Sequence, residues 1–159
     1  MASAHDFTFS AIDGSSMPLS RFKGKAVLVV NTASECGYTP QYKDLEALWK
    51  RYRDRGLVVL GVPCNDFGAQ EPGTEKEIKD FCEVNFGVDF PLTAKAHVTG
   101  ADAHPFFKWA AGVVGEGASP RWNFHKYLVG PDGELAGWFP TKTSPTAADV
   151  TRAVEEALP

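Results

Sequence analysis

The sequence predicts an α/β fold in which a central mixed sheet is flanked by helices and preceded by an N-terminal β-hairpin. Three observations carry this expectation. Ala26-Val27-Leu28-Val29-Val30 and Leu57-Val58-Val59-Leu60-Gly61-Val62 are short continuous apolar runs, the pattern of strands covered on both faces. Between them Leu45, Leu48, Trp49 and Tyr52 recur at the spacing of one helix face. Further on, Tyr127-Leu128-Val129 and the run from Leu135 to Phe139 flank Pro131-Asp132-Gly133, as in an antiparallel hairpin.

Each element has local support. Phe7, Phe9 and Ile12 are interleaved with polar residues and Asp13-Gly14 turns the chain, so the N-terminal segment reads as a hairpin. Thr39 is positioned to cap the first long helix, with Pro40 at its first position. Thr74-Glu75-Lys76-Glu77 is a capping box opening a second helix, whose apolar stripe is Ile78, Phe81 and Cys82. Pro105 starts a third helix with Phe106, Phe107 and Ala110 inside. Ser144-Pro145 opens a last one with Val150, Val154 and Leu158 inside. The order β-hairpin, β, α, β, α, α, β, β, α is that of a thioredoxin-like fold, expected as a single domain over residues 1–159.

The 159 residues are enough to bury a core without disulfides or a structural metal. A formal net charge of −4 argues against nucleic acid as the main partner, because phosphate binding needs a basic face. No stretch approaches the ~20 apolar residues of a membrane helix. The N-terminus has neither a basic nor an apolar signal region, so a cytoplasmic location is expected. In such a reducing compartment the three cysteines, Cys36, Cys64 and Cys82, are expected to be free and to serve either the core or chemistry. The four histidines show no metal-ligand spacing with them and read as surface residues; no cofactor is expected.

Cys36 stands out. It follows a buried strand and precedes a helix, where sites form in open α/β sheets. The unpaired amides and partial positive charge of a helix start stabilise a thiolate. Cys36-Gly37-Tyr38-Thr39 is C-x-x-T, so the second sulfur of a dithiol oxidoreductase is missing. Cys36 is therefore suited to attack something other than a disulfide, such as a peroxide.

Three segments then resemble the glutathione peroxidase family, in order and over nearly the whole chain. They are Asn31-Thr32-Ala33-Ser34-Glu35-Cys36-Gly37-Tyr38-Thr39, Pro63-Cys64-Asn65-Asp66-Phe67-Gly68-Ala69-Gln70-Glu71-Pro72-Gly73, and Arg121-Trp122-Asn123-Phe124-His125-Lys126-Tyr127-Leu128-Val129. The resemblance implies a catalytic tetrad of Cys36, Gln70, Trp122 and Asn123. Taken singly, Gln70 reads as a solvated loop residue, Trp122 as core packing or function, and Asn123 as a turn or cap. As a set they supply two amides and an indole N–H around a sulfur.

The resemblance also implies a hydroperoxide substrate, a resolving role for Cys82, and recycling by thioredoxin, with glutathione or a relay to a partner protein as alternatives. Cys64 reads as structural. Asp66 stands where the family more often has glutamine, and Thr32 where it more often has valine. The short Gly-rich link between Ala111 and Arg121 lacks the insertion that builds tetramers in some members, so a monomer or weak dimer is expected.

Overall fold

The computed structural model describes residues 2–159. The N-terminal hairpin pairs β1 (Thr8–Ser10) with β2 (Ser16–Pro18), with Phe9 opposite Met17, both buried. The turn closes through Ala11 N–H to Ser15 O at 2.7 Å. Ile12 lies beyond the strand: Phe7, Phe9 and Ala11 face one core, and Ile12 packs against the other.

The main sheet has four strands, β3 (Ala26–Thr32), β4 (Leu57–Pro63), β5 (Lys126–Val129) and β6 (Leu135–Phe139), in the order β4-β3-β5-β6. β3 and β4 run parallel; β5 pairs antiparallel with both β3 and β6. Every residue of β3, β4 and β5 is buried, whereas the edge strand β6 is not. This is why the two aliphatic runs show no alternation.

Helices α1 (Gln41–Tyr52), α2 (Glu75–Phe86) and α4 (Ala148–Ala157) join Leu28, Val30, Val59 and Leu128 in one core. Helix α3 (Pro105–Val114) and the hairpin join Val27, Val29, Val58, Leu60 and Tyr127 in the other. Phe106 and Phe107 are fully sequestered there, and Tyr127 packs edge-on against Phe106 at 6.2 Å. Helix α4 begins at Ala148 rather than at Ser144-Pro145. The Ser144 hydroxyl accepts from Thr146 N–H in a preceding turn, and Leu158 lies at the C-cap instead of inside the helix. Among the described residues no helix is long and apolar enough to cross a membrane.

Helix α2 is capped at both ends. Its capping box is formed, with Glu77 N–H donating to Thr74 Oγ1 at 3.3 Å and Thr74 N–H to Glu77 Oε1 at 3.1 Å. Gly87 ends it in the left-handed region at φ 61°, and the amides of Gly87 and Val88 turn back onto the last carbonyls. Only Ile78 and Cys82 are buried; Val84 is 84% exposed. Phe81 and Phe86 are partly buried against the same core, Phe86 with its ring 5.6 Å from Tyr42.

Candidate active site

Residues 33–40 form the turn between β3 and α1, and Cys36 lies within it, 8% exposed. Thr39 does not cap α1. Its hydroxyl accepts from Cys36 N–H at 3.0 Å and donates to Ala33 O at 2.8 Å, clasping the cysteine turn from inside. The helix starts at Gln41, behind Pro40, with no side-chain cap. A hydroxyl committed to both ends of a tight turn has no reach left for the helix amides. Tyr38 N–H donates to Cys36 Sγ at 3.3 Å, a backbone donor aimed at the sulfur.

Gln70 belongs to the loop after β4, and its carbonyl accepts from Glu35 N–H at 3.0 Å, beside Cys36. Asn123, fully buried in the turn before β5, donates Nδ2 to Gln70 Oε1 at 2.9 Å. The two amides suggested by the sequence are thus joined, and the loop carrying them is stitched to the cysteine turn. The only non-glycine residues at positive φ among the described residues are their neighbours, Ala69 at 51° and Phe124 at 65°. Such backbone costs ~1–3 kcal/mol and persists only where its surroundings enforce it.

Trp122 is half-buried and packs against the core cluster that contains Cys36. Its ring lies 6.0 Å from Phe67, and a side chain at Gly68 would place Cβ 3.1 Å from the indole. Glycine is required there on a second count, its φ of +66°. Trp122 also walls a cleft of about 370 Å³ with Arg121, His125, Trp138, Pro140 and Lys142.

Cys82 faces the core, fully buried in the same cluster as Cys36; all three cysteines are free. Burial pushes its thiol up to about 11, with the nearby Glu71 and Glu83 charges acting in the same direction and the Tyr42 hydroxyl opposing them. Cys64 is pushed up to about 12, again by burial, and its sulfur accepts from Asp66 N–H at 3.4 Å. The Asp66 carboxylate is engaged by the His97 ring at 2.6 Å and by the amides of Val98 and Thr99.

Several buried polar groups escaped the sequence reading. Glu71 is 1% exposed beneath a second cleft of about 370 Å³ lined by Ser34, Glu35, Pro72, Gly73, Glu77, Ile78 and Phe81. Burial raises its carboxyl to about 7, with the neighbouring Ser34 acting in the opposite direction. Lys126 is fully buried in β5, and burial pushes it down to about 7. Its residue type gave no sign of this, since lysine is ordinarily exposed.

The histidines need correction as well. His125 is buried at 4% exposure, stacked 5.7 Å from Trp138, and burial lowers it to about 4. His104 is half-buried on Phe9 and caps α3, Nδ1 accepting from Phe106 N–H at 3.1 Å. No group of three His, Cys, Asp or Glu suited to a metal ion occurs among the described residues.

A thioredoxin-like sheet with one cysteine at its first strand-to-helix turn, and threonine where a second would stand, matches the framework of a thiol oxidoreductase of the peroxidase type. Comparison with known proteins agrees. A family model described as Glutathione peroxidase matches residues 4–111, and the chain belongs to that family. It is 46% identical over 158 residues to the hydroperoxy fatty acid reductase gpx1 of Synechocystis sp., covering 93% of this chain and 94% of the relative. It is 47% identical over 137 residues to the glutathione peroxidase-like peroxiredoxin gpx1 of Schizosaccharomyces pombe, covering 85% and 87%. The crystal structure of Trgpx in apo form superimposes with a TM-score of 0.76 at 37% identity, covering 99% of both chains. A thiol:disulfide interchange protein from Chlorobium tepidum, at 20% identity and a TM-score of 0.70, shares the fold.

Proposed function

We propose that this peroxidase reduces hydroperoxides through Cys36, with Gln70, Asn123 and Trp122 as the surrounding donors. The observation that carries the reading is the Asn123–Gln70 hydrogen bond, attached through the Gln70 carbonyl to the residue before Cys36. The Cys36 thiolate attacks the distal peroxide oxygen. The O–O bond breaks, the sulfur is oxidised to a sulfenic acid, and the leaving oxygen takes up a proton to depart as water or an alcohol. Amide and indole donors held in place stabilise the negative charge on that leaving oxygen.

The sulfenic acid then condenses with the Cys82 thiol, releasing water and forming a Cys36–Cys82 disulfide, which thioredoxin reduces by thiol–disulfide exchange. Closed, Cys82 is a buried neutral thiol and a poor nucleophile; opening of α2 exposes and activates it. The cleft walled by Trp122 and Trp138 fits the apolar body of an organic hydroperoxide, in keeping with the fatty acid hydroperoxide named for the Synechocystis relative. The test is peroxide consumption coupled to NADPH, with thioredoxin and its reductase in one arm and glutathione and its reductase in the other. Turnover in the thioredoxin arm alone supports the reading. Turnover in the glutathione arm alone replaces the recycling step.

A further inference from the structure

Three consecutive carbonyl groups, those of Trp122, Asn123 and Phe124, are each held by a side chain. Asn31 Nδ2 donates to Trp122 O at 3.0 Å, Thr141 Oγ1 to Asn123 O at 2.7 Å, and Lys126 Nζ to Phe124 O at 2.6 Å. Lys126 does more than its companions. Its ammonium also reaches Pro140 O at 3.5 Å and Thr141 O at 3.4 Å, across the turn. Thr141 O accepts in addition from Gln41 Nε2 at 2.8 Å, at the first residue of α1.

Burying an ammonium is costly unless it is paired and hydrogen-bonded. Lys126 has no ion-pair partner among the described residues; its acceptors are carbonyl oxygens. An apolar side chain of similar length would fill the same space without that cost. What the ammonium adds is a three-way grip on backbone. The residue it grips most closely is Phe124, the strained one, whose N–H donates to Asn31 O at 2.6 Å and whose ring packs edge-on against Tyr42. Phe124 directly follows Asn123, so its backbone angles govern where the turn presents the amide.

We propose that Lys126 is a positioning residue for peroxide reduction: it clamps the 122–124 turn to the 140–141 loop and so keeps the Asn123 amide on Gln70. This rests on the reading of Cys36, Gln70 and Asn123 given above. Without the ammonium, Phe124 relaxes towards an ordinary φ and the amide swings away from Gln70.

The experiment compares wild type, Lys126→Met, Asn123→Ala and the double variant by stopped-flow oxidation of Cys36 with hydrogen peroxide, and by alkylation of Cys36 with iodoacetamide. A displaced donor costs less than a deleted one, so Lys126→Met should slow the peroxide step about tenfold, with alkylation little changed. In the Asn123→Ala background the same substitution should add almost nothing. A wild-type peroxide rate in Lys126→Met overturns the clamp. So does a full additional loss in the double variant, or an equal fall in alkylation, which marks general damage to the turn. Asn123→Ala at the wild-type rate instead removes the underlying site reading. If Lys126→Met does not fold, Lys126→Gln, which replaces the three-donor ammonium with a shorter amide, takes its place, and an unchanged peroxide rate there overturns the proposal equally.

Discussion

Asn123 and Gln70, 53 positions apart in the chain, meet through a single hydrogen bond of 2.9 Å between their side-chain amides. Each is flanked by a residue at positive φ, Ala69 before Gln70 and Phe124 after Asn123. Backbone strain on both sides of one side-chain contact marks it as enforced by the fold around it.

Replacement of either amide by alanine should therefore slow Cys36 oxidation. Loss of an oxyanion-type donor costs ~10²–10³ in rate, less where the remaining groups compensate. Because the two act as one hydrogen-bonded unit, the double variant should lose far less than the product of the single losses. Stopped-flow rates that multiply cleanly would separate the two amides into independent contributors and undo the pairing.

Cys36→Ser should abolish peroxidase turnover and leave the fold intact. The change is nearly isosteric at an 8%-exposed position whose backbone N–H and C=O are already bonded within the turn. Unaltered circular dichroism with no measurable peroxide consumption is the expected pair of results. Residual turnover above background would transfer the nucleophile to another residue.

Cys82→Ser should keep one turnover with peroxide and lose recycling by thioredoxin, whereas Cys64→Ser should keep both. Cys64 is bonded in place beside Asp66 and lies in the other core cluster. Peptide mapping after peroxide treatment should recover a Cys36–Cys82 linkage. Recovery of Cys36–Cys64 would contradict the assignment.

Thr74→Ala should speed formation of that disulfide. Loss of the N-cap destabilises a helix by ~1 kcal/mol, which shifts a local opening equilibrium roughly fivefold at constant closed-state chemistry. Quenched-flow trapping of the disulfide measures the step directly, and hydrogen exchange over α2 reports the opening. Faster exchange with an unchanged disulfide rate would show that opening does not limit resolution.

Glu71 should make stability pH-dependent. Its folded pKa is raised, from 4.5 to about 7, chiefly by burial, with Ser34 and Lys95 opposing and Glu35 assisting. A raised value means that the folded state holds the proton more tightly than the unfolded chain. The contribution is complete below pH 4.5 and is lost as pH climbs to about 7. Glu71→Gln, which does not titrate, should gain on wild type across that window, by a few kcal/mol at most. Urea midpoints at pH 4 and pH 8 test this; a gap that stays constant would place the carboxyl in water.

The strand runs, the capping box of α2 and the place of Cys36 in the strand-to-helix turn were legible in the sequence because each depends on residues a few positions apart. An aliphatic run signals burial on both faces, Thr74 and Glu77 sit one turn apart, and Cys36 falls between a strand and a helix whatever the rest of the chain does. The motifs also named Gln70, Trp122 and Asn123. Where those residues lie with respect to one another was decided by the tertiary structure, because the order β4-β3-β5-β6 sets β5, and the turn leading into it, beside β3. The same arrangement took Thr39 from the helix cap into the cysteine turn, drew His125 out of solvent, and enclosed Lys126 among carbonyl groups. For a polar side chain, residue type records only the preference for water; whether the fold replaces that water with backbone partners depends on strands brought together from distant parts of the chain.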